Sequence, residues 1–205
     1  APSLKQSLAS GHRVKLTKID NFVDGAAVAE IGERNFEILQ RFRSDQVLTV
    51  PENAVCLTMT KILNTEGIVL EPAGALSISA LEALGPDKLA GKTVVAVVSG
   101  GNFDFERLPD VKERAMRYAG TKKYFILRLP QRPGALKDLL NLLGPEDDIA
   151  RFEYLKKSAR NFGSILIGIE TRSPENFSRL IEAFDQAGLS YQDITDNEII
   201  ANLII

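Results

Sequence analysis

Ser99-Gly100-Gly101-Asn102 closes an unbroken run, Thr93-Val94-Val95-Ala96-Val97-Val98. A serine hydroxyl followed by two glycines can hold a small molecule. The hydroxyl supplies a hydrogen bond, and backbone without a Cβ allows close approach. A run that is apolar and β-branched at nearly every position reads as a strand buried on both faces, typical of a parallel sheet. In open α/β sheets ligands sit just beyond the carboxyl ends of strands. The plain alternative is a turn after a core strand. Other reactive residues are sparse. His12 is the only histidine and sits in a polar stretch, where it is expected to be solvated. Cys56 is the only cysteine, so no internal disulfide can form. It lies in a helical pattern and reads as a core filler rather than a nucleophile. No His, Cys and carboxylate set has metal-ligand spacing, so no metal site is expected.

The composition excludes several classes. The 205 residues are 44% apolar, enough for a core without staples. Net charge is −2 and no Lys/Arg cluster stands alone, so no nucleic-acid partner is expected. The apolar runs are shorter than a membrane span, and Ala1-Pro2-Ser3-Leu4-Lys5 does not open a secretory leader. One cysteine fits a reducing, cytoplasmic setting.

Two regions must position these residues. In the first, 1–119, Glu33 to Phe42 reads as a helix and Gln46 to Val50 as a short strand. Pro51 opens a second helix, with Val55, Met59 and Ile62 in register, that Gly67 stops. Ile68 to Leu70 reads as a strand, Pro72 to Leu84 as a helix, Thr93 to Val98 as the buried strand, and Phe103 to Tyr118 as an amphipathic helix. That alternation argues an α/β region with a parallel sheet. The second region, 120–205, has a different grain. Strands are expected over Tyr124 to Leu129, Ile149 to Lys157, Ile165 to Ile169, Ser190 to Thr195 and Ile199 to Ile205. A helix from Ala135 to Leu143 shows Leu136, Leu139, Leu140 and Leu143 on one face, and another follows Ser173-Pro174 until Gly188. The order βαββαβ reads as a ferredoxin-like α+β unit.

Six words in order carry a family resemblance. Phe22-Val23-Asp24-Gly25-Ala26-Ala27-Val28, Gly67-Ile68-Val69-Leu70-Glu71-Pro72-Ala73-Gly74-Ala75 and Ser99-Gly100-Gly101-Asn102 resemble the second half of the catalytic domain of threonine dehydratases. Leu129-Pro130-Gln131-Arg132-Pro133-Gly134-Ala135-Leu136, Arg151-Phe152-Glu153-Tyr154 and Asn161-Phe162-Gly163 resemble their ACT-like regulatory domain. The resemblance implies a tryptophan-synthase-like fold (fold type II of pyridoxal-phosphate enzymes), a parent reaction from threonine to 2-oxobutanoate and ammonia, and a place in isoleucine biosynthesis. It implies cofactor contacts at Ser99, Gly100, Gly101, Gly25 and Glu71. In the same reading, isoleucine is a feedback effector, opposed by valine, at Arg132, Gly134, Ala135 and Tyr154. It also implies a homo-oligomer, a tetramer for the parent enzyme.

Plain alternatives stand beside these assignments. Glu71 and Pro72 could simply begin a helix, where an acid suits the dipole. Asp24-Gly25 is a common turn pair. Tyr154 could be an ordinary strand residue on a half-covered sheet. The Ala135 helix can receive a carboxylate at its amino end. The family's Schiff-base lysine and glycine-rich phosphate cup have no counterpart here. We therefore expect no catalytic residue in this chain, and expect a carboxy-terminal fragment or one half of a split enzyme, inactive alone. The alternative is a stand-alone amino-acid-binding regulatory subunit.

Overall fold

The structure, a computed structural model, describes residues 1–155 and 162–197. It divides into two compact units, Ala1–Ala115 and Met116–Ile205.

The first unit is built from helices α1 (Ser3–Ser10), α2 (Glu33–Leu39), α3 (Glu52–Glu66), α4 (Pro72–Leu84) and α5 (Pro86–Leu89). Helix α6 (Leu108–Tyr118) begins in it. Pro51 precedes α3 with a φ of −61°, and Gly67 ends it in the left-handed region at φ 67°, where a Cβ would clash. Pro72 takes the first position of α4, where its missing N–H costs nothing. Val55 and Met59, one turn apart on α3, and Ala75 of α4 are buried in a shared core with Leu70 and Val111. Cys56 is fully buried there, as a core filler should be. Helix α1 had no counterpart in the sequence reading.

The three strands expected in this region are not formed among the described residues. Ser44–Gln46 is a 3-10 turn, and Ile68 to Leu70 and Thr93 to Val98 carry no ladder. Val95 is 85% exposed and Val97 71%, where a strand buried on both faces was expected. The physical reason is pairing. A central parallel strand must hydrogen-bond on both edges, and no described segment supplies either neighbour along 93–98. Among the described residues its anchors lie towards the carboxyl end. The Ser77 hydroxyl donates to the Val97 carbonyl at 2.7 Å, and the Glu71 N–H to the Gly100 carbonyl at 3.3 Å.

The second unit holds β1 (Lys122–Pro130), α7 (Ala135–Leu140), β2 (Asp148–Leu155), β3 (Phe162–Glu170), α8 (Glu175–Gln186) and β4 (Ser190–Asp193). The sheet order is β2-β3-β1-β4 and every pairing is antiparallel. Period-two alternation buries Phe125, Leu127 and Leu129 of β1 with Ile165, Ile167 and Ile169 of β3 on one face. Phe177, Leu180 and Phe184, at helical spacing on α8, fill the same core. This is the ferredoxin-like arrangement of an ACT-like domain, and the chain as a whole is mixed α/β. The strand expected at Ile199 to Ile205 lies outside the described residues, as does the end of the one expected at Ile149 to Lys157.

Candidate functional site

In the first unit, three glycines and one carboxylate converge. A Cβ on Gly100 would collide with the Glu71 side chain, and one on Gly74 with the Gly100 carbonyl. A Cβ on Gly25 would fall 3.0 Å from the Ala73 Cβ and 3.9 Å from Glu71 Oε1. Backbone from three distant stretches thus meets at the amino end of α4, and only residues without side chains fit. Of the five residues singled out, Gly25, Glu71 and Gly100 are brought together. Gly101 is exposed nearby, its Cβ position 3.7 Å from the Val69 carbonyl oxygen. Ser99 is exposed, and its hydroxyl makes no hydrogen bond among the described residues.

A clamp that no local motif announces holds the Asp24-Gly25 turn. Arg107 donates from Nη2 to the Phe22 carbonyl at 2.6 Å, and its Nη1 lies 3.4 Å from Asp24 Oδ2. Its guanidinium stands 4.8 Å from the centre of the Phe22 ring, and that of Arg114 4.4 Å, both within cation–π range. Within the turn, the Gly25 N–H donates to Asp24 Oδ1 at 2.8 Å. Arg107 is 83 residues from Asp24, so spacing gave no signal.

Arg114 also faces a carboxyl pair. Its Nη1 is 3.9 Å from Glu52 Oε2, an oxygen buried without a hydrogen-bond partner. Burial, and then the hydrogen bond to Asp20, push Glu52 up from its ordinary 4.5 to about 7. That same bond holds Asp20 below the usual carboxylate range. Below about pH 7 Glu52 therefore keeps its proton. Burial raises the Cys56 thiol to about 12, which leaves it protonated and inert.

The second unit contains an open cavity of about 590 Å³ between the Gln131–Gly134 loop, one face of α7 and Tyr154. All four residues singled out for an effector, Arg132, Gly134, Ala135 and Tyr154, line it. Gly134 turns the chain into α7 at φ 84°, a conformation that penalises any side chain. Helix α7 spans six residues, with Gly134 at its N-cap and no side-chain cap hydrogen bond. Arg132 is turned to Asp138, Nη2 to Oδ2 at 2.7 Å. The leucines expected on one face of this helix divide between core and cavity. Leu139 is buried, whereas Leu136 and Leu140 are 36% and 40% exposed and give the cavity its apolar side. Lys137, also not singled out from sequence, completes the lining.

Residues 1–100 match the family described as pyridoxal-phosphate dependent enzyme, and residues 113–204 that described as the C-terminal regulatory domain of threonine dehydratase. The chain belongs to the threonine dehydratase family. It is 48% identical over 206 residues to the biosynthetic L-threonine dehydratase of Halalkalibacterium halodurans, covering 100% of this chain and 49% of that relative. The Bacillus subtilis relative of the same description is 45% identical over 206 residues, covering 100% and 48%. Among solved structures it resembles the processed form of threonine deaminase isoform 2 from Solanum lycopersicum. That match is 35% identical with a TM-score of 0.52, over 56% of this chain and 34% of that one. The chain spans about half the length of the curated threonine dehydratases it matches. Among the described residues no helix is long and apolar enough to cross a membrane, and no group of His, Cys, Asp or Glu could hold a metal.

Proposed function

We propose that this chain is the carboxy-terminal portion of a cytoplasmic L-threonine ammonia-lyase that converts threonine to 2-oxobutanoate and ammonia, and that isoleucine and valine bind its second unit as opposing effectors. The observation that carries the effector assignment is the convergence of Arg132, Gly134, Ala135 and Tyr154 on one cavity. Leu136, Leu140 and the Tyr154 ring suit an aliphatic side chain, and Lys137 offers a charge to a carboxylate. Isoleucine and valine differ by one methylene, which such a pocket separates by about 1–3 kcal/mol.

Pyridoxal phosphate, when bound, supplies the electron sink for loss of the β-hydroxyl. The glycine meeting at the amino end of α4 fits a flat ring approached by backbone. The exposed Ser99 hydroxyl would hydrogen-bond the ring nitrogen, and Gly100 and Gly101 would let the chain lie against the cofactor. A hydroxyl, unlike a carboxylate, leaves that nitrogen unprotonated. Glu71, beside Gly25 and Gly100, would bound the site. The lysine and phosphate cup belong to the amino-terminal half of the family's catalytic domain, and the parent enzyme is a homo-oligomer, a tetramer.

Titration calorimetry tests the reading. Isoleucine should bind the purified chain saturably, and Tyr154→Ala should abolish that binding with the fold intact. Unchanged affinity in that variant would overturn the assignment of Tyr154. Adding an amino-terminal half should restore threonine-dependent 2-oxobutanoate formation. The alternative, a stand-alone regulatory subunit, draws on the self-contained core of the second unit. It expects isoleucine binding and no activity with any such half.

A further inference from the structure

Gly163 lies inside β3, paired with Leu129 of β1. Glycine in a strand interior is costly, because it loses backbone entropy and packs nothing. Here the backbone does not require it, since Gly163 is absent from the positive-φ glycines. What requires it is a neighbour. Tyr154 of β2 sits opposite Ile165 of β3. Residues 163 and 165 share one face of the sheet, and diagonal cross-strand neighbours are within reach of an aromatic ring. The Tyr154 ring takes that diagonal and lies over Gly163. A methyl there would fall 2.5 Å from Tyr154 Cε2, 3.1 Å from its hydroxyl oxygen and 3.2 Å from Cζ. Gly163 is buried while Tyr154 keeps 37% of its surface exposed, on the wall of the α7 cavity. The tyrosine hydroxyl makes no hydrogen bond among the described residues.

We infer that Gly163 is a positioning residue for the effector cavity: the absence of its side chain seats the Tyr154 ring flat on β3 and so sets the width of the pocket. The inference rests on the effector reading given above. A side chain at 163 would drive the far end of a flexible tyrosine into the cavity rather than break the sheet. Ligand binding should therefore suffer while the fold does not. Gly168, on the opposite face of β3, is the internal control. A Cβ there would meet the Tyr124 ring at 2.6 Å, away from the cavity.

The experiment has a ligand-free arm and a ligand arm, both on the whole chain. In NMR spectra, the Gly163 α-protons should show an upfield ring-current shift that Tyr154→Leu removes. Absence of that shift would overturn the inference whatever isoleucine does. In calorimetry, Gly163→Ala should weaken isoleucine at least tenfold with Tyr154 present. A double-mutant cycle then separates positioning from general damage. In a Tyr154→Phe background, which keeps the ring, the same loss should recur. In Tyr154→Leu, which removes it, Gly163→Ala should cost less than twofold of whatever affinity remains; equal losses in both backgrounds would overturn the inference. Gly168→Ala should leave isoleucine affinity within twofold. No isoleucine or valine isotherm from the unsubstituted chain would overturn the effector reading, and the ring-current arm would still decide the packing.

Discussion

The two units treat the same kind of sequence in opposite ways. Ile165, Ile167 and Ile169 are fully buried in β3, between strands that satisfy its backbone on both edges. Val94, Val95, Val97 and Val98 form a run at least as apolar, yet all four are exposed and no ladder forms. Local preference is comparable; the supply of partners is not. Every strand of the second unit finds its partners inside that unit, even where, as between β1 and β4, most of the unit lies between them in sequence. A parallel strand depends on neighbours that come from far along a chain, and none is found for 93–98 among the described residues. Burial is thus a property of the assembled sheet, and an apolar run states only a demand for it.

Hydrogen exchange should give the widest separation between the two units. Amides of Phe125 and Ile167 should open only with global unfolding of their unit, about 5 kcal/mol or more, whereas those of Val95 and Val97 should exchange almost freely. Protection at Val95 in the isolated chain would break the comparison. Protection gained there on adding an amino-terminal half would sharpen it. Next in size, Ile167→Ala should cost the second unit about 2–5 kcal/mol in urea unfolding, by loss of burial plus a cavity. Val95→Thr should stay within about 0.5 kcal/mol. Equal costs would mean that 93–98 is covered in solution.

Smaller effects probe the first unit alone. Arg107→Ala removes a hydrogen bond to the Phe22 carbonyl and a cation–π contact. It should lower that unit's stability by about 1–2 kcal/mol, read as a shift of its urea midpoint. An unchanged midpoint would mean that the Phe22–Gly25 turn holds itself.

The least effect is pH-dependent. Glu52 binds its proton more tightly folded than unfolded, at about 7 against 4.5. Its contribution is therefore complete below about 4.5 and is lost as pH rises through about 7. Asp20, held low, has the opposite sign: its contribution is lost as pH falls through its depressed value. Glu52→Gln should flatten the first unit's stability profile between pH 4.5 and 7, measured by urea midpoints. A slope that survives would assign it to another group.

Much of the fold was legible. Helix α4 was placed to the residue by Pro72 and the Ala/Leu run, and α3 to within a residue at each end by Pro51 and Gly67. The strand at Ile165 to Ile169 followed from period-two alternation, which the four-stranded sheet honours. That Arg132, Gly134, Ala135 and Tyr154 belong together was legible through a resemblance in motif. Leu136 and Leu140 were not, because a helical stripe marks an apolar face without saying whether core or cavity lies against it. Arg107 and Glu52 were also out of reach. A clamp spanning 83 residues and a carboxyl raised by burial depend on which surfaces meet, and no spacing encodes that.

By itself the sequence determined the periodicities, the helix stops and the family. Those are local chemical facts, set by side-chain type and by φ limits at proline and glycine. Tertiary structure alone decided that Thr93 to Val98 joins no ladder among the described residues, that three glycines meet around Glu71, and that Tyr154 rests on Gly163. Each of these depends on distance between residues remote in the chain, and only packing sets such distances.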